Sequence, residues 1–547
     1  MRMTVYDVVI IGSGIACSMT LCQLVERLKG MPVRGRALRI GVIEKEGEMW
    51  NGIPYGSRSA IGALAFQRLQ EFLEQPERSS YVDWLVENSA SWLATLREWG
   101  GPGALKWISD NQSLMDRGEW EELYLPRFVF GLYVSARAAR AVEELSKAGL
   151  GSVTLVHGEA TEISRMPCRP HLIVVEHSGG ARLPLYATRV VLAIGSPPQK
   201  SMHAAGLAVR QSHTHIGDIY SPCEDVSIEA IRQALSSVAT TEMANMLILG
   251  SNASALEVLY LLNYRPEIRK LINSVVVLSR SGLLPYRICG EIVPFKLTAL
   301  EFLLGSGDVS AADLIAAIRA DIKKAEDLRL NIADLRDPVG AAVGRLTAMM
   351  EISEQKRFVC EHGVHYSRMM RRAGPDTCNA TDELVRAGIL TTVKGEFRGL
   401  VSCAAGNGLM LAAYASSEGG GEITHPVPFR ITINCGGFEE LDGASSRLIN
   451  SLIVNGLCRV NSTHRGFVVN DRLEASEDLY VIGPLLAGNF NNTVRLWHVE
   501  SASRIAGLAR LLAKSLSDSI YPPSKVTLPD TNGLASSVAS SVFPPYV

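Results

Sequence analysis

The sequence predicts an α/β protein in which two strand–turn–helix–strand units, the second inserted within the first, are joined to a helical insert. Three observations predict this class. An apolar, β-branched run enters a glycine turn in "YDVVIIGSGIAC", and a similar run enters "LILGSNASALEV" in the middle of the chain. Apolar runs also end in glycine in "RVVLAIGSPP" and "DLYVIGPLLAG". Buried strands that lead into such turns are typical of parallel sheets covered by helices, so we predict two Rossmann-like dinucleotide-binding domains.

Length and composition limit the classes of function. A chain of 547 residues is long enough for two or three domains, and 47% hydrophobic residues are typical of proteins with a packed core. The net charge of -2 indicates no polyanionic partner, so nucleic acid is not expected. No run of 18 apolar residues and no signal-peptide cleavage pattern occurs, so we expect no membrane span and a cytoplasmic location. Cysteine and histidine spacings predict neither a disulfide framework nor a metal site.

The first glycine turn has the features of a phosphate-binding turn. Gly12 allows the tight turn, and Gly14 allows a pyrophosphate to approach the backbone. The following helix directs its free amides and positive dipole end at the phosphate charge. Cys17, at the third position of the motif, is small enough for helix–strand packing. The next strand, "LRIGVIEKEGEMW", carries Glu44, whose carboxylate can accept hydrogen bonds from both ribose hydroxyls of an adenosine.

The second glycine turn departs from this pattern. Gly250 and Ala255 occupy their expected positions, but Asn252 replaces the second glycine. Asparagine tolerates left-handed backbone angles, so we expect the turn to form, with the side chain in the space through which a pyrophosphate approaches. The next strand ends in Ser279 and Arg280 rather than an acid, which favours NADPH over NADH because a guanidinium suits the 2′-phosphate. Shifted, weak and lost nicotinamide binding all remain open, and Arg280 has the alternative of a surface residue or a contact to the flavin domain.

These segments, together with "GEMWNGIPYG", "YLPRFVFGLYV", "VVVLSRSGLLP" and "INCGGFEE", resemble the bacterial FAD/NAD(P)-binding protein family. That family is a distant relative of the N-hydroxylating and Baeyer–Villiger class B flavin monooxygenases. The resemblance spans most of residues 5–513 and implies a glutathione reductase-like flavoprotein fold. The expected domains are 1–200 (FAD, first part), 201–385 (NAD(P)-binding-like, with the helical insert), 386–515 (FAD, return segment) and 516–547 (an extended tail). The tail would lie over the protein surface or over the partner in a homo-oligomer.

The resemblance and the motifs together imply two sets of cofactor contacts. The expected FAD contacts are Gly12, Ser13, Gly14, Ile15, Ala16, Glu44, Lys45, Trp50, Arg127, Gly195, Gly483, Asn491 and Asn492. The nicotinamide contacts, if that site is retained, are Gly250, Ser251, Asn252, Ala255, Ser279 and Arg280.

Alternatives remain for several of these residues. Trp50 would lie near the flavin or be a core aromatic under a loop, and Arg127 would contact a ligand or form an ion pair on a helix surface. A helix is expected to start near "GNFNNTVRLWHVESAS", with Asn491 and Asn492 at its amino end stabilising negative charge on a reduced flavin. His498 on that helix is the candidate acid or base, although a packed, hydrogen-bonded histidine is the favoured interpretation.

The helical insert, from about 300 to 385, contains the amphipathic run "DLIAAIRADIKKAEDL" and a segment rich in His and Arg. Arg368, Arg371 and Arg372 in that segment would bind a substrate carboxylate, but a solvated basic helix is the favoured interpretation.

The function favoured by these expectations is an FAD-dependent monooxygenase reduced by NADPH, of the kind found in secondary metabolism. With molecular oxygen it would oxygenate a nitrogen, sulfur or carbonyl carbon of a small metabolite through a flavin hydroperoxide. Two alternatives remain open. One is a flavin oxidase or dehydrogenase whose second domain has lost NADPH, and the other is a non-catalytic, flavin-bearing assembly protein.

Overall fold

The computed structural model describes residues 4–31, 36–167, 170–202, 213–236, 244–290, 294–403, 408–416, 421–499 and 501–522. The amino-terminal region contains the strands β1 (Val5–Ile11), β2 (Leu38–Glu44), β3 (Gly151–His157), β4 (Glu159–Arg165), β5 (His171–Glu176) and β6 (Arg182–Leu192). Its helices are α1 (Ile15–Lys29), α2 (Gly52–Tyr55), α3 (Leu69–Phe72), α4 (Glu77–Glu87), α5 (Ser89–Trp99), α6 (Gly101–Asp116) and α7 (Arg127–Lys147).

The middle region contains the second strand–turn–helix unit and the helical insert. Its first part comprises β7 (Thr214–Ile216), α8 (Glu224–Ser236), β8 (Ala244–Leu249), α9 (Ala253–Asn263), α10 (Pro266–Arg269), β9 (Ile272–Ser279) and β10 (Tyr286–Arg287). The insert comprises α11 (Thr298–Ser306), α12 (Ala311–Asp327), α13 (Arg336–Met349), α14 (Ile352–Arg357), α15 (Gly363–Met369), β11 (Arg372–Ala373) and α16 (Pro375–Arg386).

The carboxy-terminal region alternates short strands with two helices. It comprises β12 (Leu390–Lys394), β13 (Glu396–Ser402), β14 (Met410–Ala415), β15 (Glu422–Thr424), β16 (Ile431–Asn434), α17 (Arg447–Val454), β17 (Glu474–Ser476), β18 (Leu479–Val481), β19 (Asn489–Phe490), β20 (Arg495–Leu496) and α18 (Ala502–Ile520). The predicted extended tail from residue 516 is wrong at its start, because α18 continues to Ile520. Residues 523–547 of that tail lie outside the described residues.

Two parallel sheets confirm the predicted fold class. The first has the strand order β17-β18-β6-β1-β2-β3, and β4 and β5 extend it as an antiparallel meander from β6. Residues Val8–Ile11 of β1 are buried, which is expected for the central strand of a sheet with helices on its faces. β18 lies parallel to β6, with Leu479 opposite Val190, so the end of the chain returns to the first sheet.

The second sheet has the order β12-β9-β8-β16-β7, and all its neighbouring strands are parallel. The predicted return to the first domain at residue 386 is therefore wrong, because β12 and β16 both belong to the second sheet. An apolar run predicts a strand but not its pairing partner, so the residues of β12 and β16 do not indicate which of the two parallel sheets they join. An antiparallel sheet of β13, β14 and β15 lies between these two strands in the chain.

The helical insert has a core of its own and packs on the carboxy-terminal region. Leu314, Ile318 and Ile322 of α12 are buried in that core, as the amphipathic pattern predicts. Trp497 belongs to the same cluster, and a Cβ atom on Gly363 would lie 2.6 Å from its Cβ. The insert is thus fixed against the segment that precedes α18. Within the described ranges, each helix is too short or too polar to cross a bilayer.

Candidate functional site

The first glycine turn lies where β1, β2 and β6 meet. Gly12 has a φ of +89°, and a Cβ at this position would lie 2.5 Å from the carbonyl oxygen of Ala193. Its amide donates to the carbonyl of Ile43 at 2.8 Å. Gly14 then begins α1 with extended backbone angles. Only glycine fits the first of these positions, and the turn exposes the amino end of α1 as the sequence predicts.

Glu44 is held at the end of β2 by the same turn. Its Oε2 accepts hydrogen bonds from the amide and the hydroxyl of Ser13, both at 2.8 Å. Its Oε1 accepts from the amide of Glu46 at 3.0 Å. The carboxylate is therefore fixed in orientation and keeps lone pairs for a further donor, such as a ribose hydroxyl.

A cleft of about 2880 Å³ extends from this turn to the second turn and the helical insert. It brings together Gly12, Gly14, Ile15, Ala16, Glu44, Lys45, Arg127, Gly195, Asn252, Arg280 and His498 of the predicted site residues. In the part of the chain that the structure describes, the cleft wall does not include Ser13, Trp50, Gly250, Ser251, Ala255, Ser279, Gly483, Asn491 or Asn492. Two of these residues are next to residues of the cleft wall. Ser13 donates a hydrogen bond to Glu44, and Gly483 precedes Pro484 in the chain.

Trp50 is a core aromatic, as one of its two alternatives predicts, and its place near the flavin stays a prediction. Its side chain packs in the main hydrophobic cluster and the residue is 8% exposed. Its carbonyl accepts a hydrogen bond from the hydroxyl of Ser18 at 2.6 Å. The backbone of Trp50 therefore ties the loop after β2 to α1.

Asn491 and Asn492 lie in the turn of the β19–β20 hairpin, so the predicted helix start is wrong. The side-chain oxygen of Asn491 accepts from the amides of Thr493 and Val494, and Asn492 bonds to Asp471. Asparagine favours turns as much as helix starts, and the local turn prevailed here. Helix α18 begins later, with Ser501 as its N-cap. The cleft is lined there by residues that no sequence motif had indicated: Val499, Ser501, Ser503 and Arg504.

His498 precedes α18 rather than lying on it, and it faces a group of arginines. Arg504 Nη1 lies 3.5 Å from the His498 Nδ1 atom and 2.9 Å from its carbonyl oxygen. Burial, and then Arg504, Arg465, Arg371 and Arg336, lower the pKa of His498 to about 3. The imidazole is therefore neutral near neutral pH and is not poised as a general base.

The helical insert contributes arginines to the cleft, so the favoured interpretation of a solvated basic helix is wrong. Arg368, Arg371 and Arg372 all line the cleft. The Arg372 side chain is 11% exposed and forms an ion pair with Glu71 at 2.8 Å. Arg336, Arg345 and Arg465 also line the cleft and were missed. The periodicity of the insert located its buried face, but only the docking on Trp497 determines which polar face meets the cleft.

Arg127 forms a buried ion pair with Glu257 of α9 rather than a pair on a helix surface. It also donates to the hydroxyl of Ser59 at 2.6 Å, and the Tyr220 hydroxyl donates to Glu257 at 2.7 Å. The fully buried Glu224 lies beside them and accepts from the amide of Ala60 at 2.8 Å. Burial and the neighbouring Glu257 raise the pKa of Glu224 well above its ordinary value. This network joins the two strand–turn–helix units beneath the cleft.

The second turn forms without left-handed angles at Asn252. Gly250 has a φ of +97°, and a Cβ there would clash with the carbonyl oxygen of Cys435. Asn252 begins α9 with φ −84° and ψ −173°, an extended conformation open to any residue. Its side-chain oxygen accepts a hydrogen bond from Arg371. Arg280, at the end of β9, is exposed within the cleft.

A further polar cluster consists of residues that are not among the predicted site residues. Potential ligand atoms of Glu440, Asp442 and His464 lie within 4.8 Å of one another, and all three residues are exposed. His464 Nδ1 is 2.8 Å from a carboxylate oxygen of Asp442. The sequence did not predict this grouping, and an exposed pair of acids with one histidine is ordinary surface chemistry.

The two parallel sheets, each with a glycine turn on a common cleft, define the class of flavoproteins with two dinucleotide-binding domains. Residues 9–197 match the model of the FAD-NAD(P)-binding family. The chain is 43% identical over 518 residues to uncharacterised proteins of Mycobacterium tuberculosis and Mycobacterium bovis, covering 94% of this chain and 96% of each relative. The chain belongs to the FAD/NAD(P)-binding protein family that includes these mycobacterial proteins, which confirms the resemblance in the sequence.

Solved structures of flavin monooxygenases share the fold. The cadaverine monooxygenase DfoA of Erwinia amylovora, bound to FAD, aligns with a TM-score of 0.52 at 14% identity, covering 97% of this chain and all of that chain. Ornithine hydroxylase of Pseudomonas aeruginosa aligns at 0.55 and 13%, and ornithine N-hydroxylase of Kutzneria sp. 744 at 0.52 and 15%. Each of these two covers 94% of this chain and all of its own.

Proposed function

We propose that the protein is an FAD-dependent monooxygenase that NADPH reduces and that oxygenates a small metabolite. The observation that carries this proposal is the cleft lined by residues of both turns, with Glu44 beside the first turn and Arg280 beside the second. A cleft shared by two dinucleotide turns lets a reductant and a flavin meet. The fold likeness to the cadaverine and ornithine monooxygenases, one of them solved with reduced FAD, NADP+ and L-ornithine, supports the same reaction class.

The residues of the first turn fit FAD. The Gly12 position excludes any side chain, the amino end of α1 faces the cleft, and Glu44 is oriented for an adenosine ribose. These are the three contacts that a bound dinucleotide requires of its adenosine and pyrophosphate portions. When bound, FAD supplies the two-electron redox and oxygen chemistry.

The chain's own residues set the charge and hydrogen bonding of the reactive region. Because an arginine can only donate, the 3.5 Å contact with Arg504 is a hydrogen bond in the tautomer of His498 whose proton is on Nε2. The Arg504 guanidinium also lies 5.3 Å from the centre of the Trp497 ring, which fixes its position. A neutral donor beside fixed cations suits the orientation of a polar substrate rather than the removal of its proton.

Arg280 is the residue that favours NADPH over NADH. It stands at the end of β9, where an acidic residue would accept hydrogen bonds from the ribose of NADH. A guanidinium at this place attracts the 2′-phosphate and makes paired hydrogen bonds to it.

One observation favours a second candidate, a flavin oxidase or dehydrogenase without nicotinamide binding. In the second turn, the side chain of Asn252 occupies the position through which a phosphate approaches the backbone in the first turn. Arg371 donates a hydrogen bond to this side chain. If this contact closes the turn, the substrate itself would reduce the flavin.

An anaerobic titration of the purified, yellow protein separates the two candidates. We expect NADPH to bleach the flavin absorbance and NADH to do so only at higher concentration. Replacement of Arg280 by alanine should reduce the preference for NADPH over NADH about tenfold, because a hydrogen bond to a charged group is lost. Lys270→Ala, near the other end of the same strand, is the matched control and should keep the preference. No bleaching with either nicotinamide would reject the proposed monooxygenase, and bleaching by a candidate substrate alone would establish the second candidate.

A further inference from the structure

The contact between Asn252 and Arg371 joins two distant parts of the chain. Asn252 begins α9 and lines the cleft, and its Oδ1 accepts from the Arg371 guanidinium. The Arg371 carbonyl accepts from the amide of Tyr286 at 2.9 Å, and β11, which follows it, pairs with β10. The backbone at Arg371 is therefore tied to the strand that follows Arg280. The insert thus presents this guanidinium to the second turn from a fixed position.

Asn252 does not use its side chain in the way that an asparagine at a helix start ordinarily does. An N-cap asparagine accepts a hydrogen bond from an amide in the first turn of its own helix. Helix α9 has no such side-chain cap, and the amides of Ala255 and Leu256 bond instead to the Asn252 carbonyl. The side-chain oxygen is directed to Arg371. Because Asn252 binds the Arg371 guanidinium instead of capping its own helix, we infer that the placement of this guanidinium has a role.

The amino end of α9 and the Arg371 guanidinium carry charge of the same sign. The amino end of a helix carries a partial positive charge, which repels cations and attracts anions. The first turn of α9 contains no acidic residue, so no side chain there offsets the repulsion. An anion between α9 and Arg371 would interact favourably with both.

We propose that Asn252 and Arg371 form a clamp for the pyrophosphate of the nicotinamide dinucleotide. In the first turn a glycine allows the phosphate to approach the backbone. In the second turn Asn252 holds Arg371 across the amino end of α9, and the guanidinium receives the phosphate oxygens from the opposite side. A guanidinium matches two phosphate oxygens at once. Asn252 is thus a positioning residue, and the helical insert completes the nucleotide site. This inference rests on the proposed function, in which NADPH is the reductant.

Calorimetric titration of NADP+ into the FAD-loaded, full-length protein tests the clamp without relying on turnover. We expect Arg371→Ala to weaken NADP+ binding about tenfold to a hundredfold, the effect of losing hydrogen bonds to a charged group. Asn252→Gly should weaken binding by a smaller factor. In the Arg371→Ala background it should have no further effect, because the two residues act as a unit. Arg357→Ala, on an exposed face of the same insert, should bind as the wild type does.

A matched ligand identifies the portion of the dinucleotide that the clamp contacts. Adenosine 2′-monophosphate carries the 2′-phosphate but no pyrophosphate, so Arg371→Ala should leave its affinity unchanged while Arg280→Ala weakens it. Thermal melting curves of every variant control for folding, and Asn252→Gly also removes no side-chain cap from α9.

The outcomes separate this inference from the proposed function. Tighter NADP+ binding by Asn252→Gly or Arg371→Ala would overturn the clamp and make the pair an obstruction. Unchanged binding would also overturn it, while NADPH as reductant would stand. A wild-type protein that binds neither NADP+ nor NAD+ would reject the reductant, and the clamp with it.

Discussion

The two glycine turns of this protein have the same backbone but different surroundings. Gly12 and Gly250 have φ values of +89° and +97°, and each faces a carbonyl oxygen that excludes a side chain. Gly14 and Asn252 then begin their helices with the same ψ of −173°. The fold therefore reproduces the turn whether or not the second glycine is present. What differs is the chemistry presented to a ligand, so the backbone alone does not decide which nucleotide each turn binds.

The two turns differ in the charge of the side chains beside them. Beside the first turn, Glu44 is held by Ser13 and offers an acceptor to a ribose. Beside the second turn lie two cations, Arg280 and Arg371. The hydrogen-bond acceptor of the first turn is thus replaced by hydrogen-bond donors. This difference is what the proposed function requires, an adenosine with free ribose hydroxyls at the first turn and a nucleotide with an additional phosphate at the second.

Breaking each backbone turn should give the largest effects. Gly12→Ala and Gly250→Ala each force a side chain into a left-handed conformation and into contact with a carbonyl, at a cost of about 2 to 6 kcal/mol. We expect Gly12→Ala to be purified with little flavin and Gly250→Ala to keep flavin but lose NADP+ binding. Absorbance spectra and NADP+ titration measure both. Gly47→Ala, where a Cβ meets open space, is the control. Equal flavin loss in both variants would show that the turns do not act separately.

Removing the acceptor of the first turn should have the next largest effect. Glu44→Ala deletes the hydrogen-bond partner of the Ser13 amide and hydroxyl and also the proposed contact with the ribose. The loss of a hydrogen bond to a charged acceptor costs about 1.5 to 3 kcal/mol. FAD should dissociate about ten to a hundred times more readily, while NADP+ affinity remains unchanged. Fluorescence of released flavin on dilution measures the first, and calorimetry the second. Glu26→Ala, on the exposed face of α1, is the control. Undiminished flavin retention would contradict the assigned role of Glu44.

The junction between the two units should show a smaller, pH-dependent effect. Burial and the charge of Glu257 raise the pKa of Glu224 in the folded state, so folding favours its protonated form. The stability from this group is complete below the ordinary carboxyl pKa and is lost as pH rises toward the folded-state value. Glu224→Gln cannot ionise. Between about pH 5 and pH 8, we expect the melting temperature of the wild type to fall relative to that of this variant.

A control on the same helix isolates the effect of burial. Glu229 lies on the exposed face of α8, and its hydrogen bond with Arg232 lowers its pKa to about 2. Glu229→Gln should therefore leave the slope of melting temperature against pH unchanged over this range. Parallel curves for the wild type and Glu224→Gln would show that Glu224 does not titrate between the folded and unfolded states there.

Local patterns predicted the strands, the turns and the end of β2 because each depends on neighbouring residues. β1, β2, β6, β8 and β9 all occur where apolar runs were seen, and Gly12 and Gly250 adopt the positive φ that their turns require. Errors arose where two local rules competed. "GNFNN" predicted a helix start, but asparagine favours turns as well, and Asn491 accepts the hydrogen bonds of a turn from Thr493 and Val494.

The sequence by itself determined two nucleotide-type turns and the acidic and basic ends of their second strands, since strand periodicity and glycine conformation are properties of short segments. Only the tertiary structure decided that β12 and β16 complete the second sheet, and that Arg127 is buried against Glu257. It also brought Arg371 of the insert to Asn252. These contacts join residues far apart in the chain, and they depend on how helices and sheets pack, which no local pattern encodes.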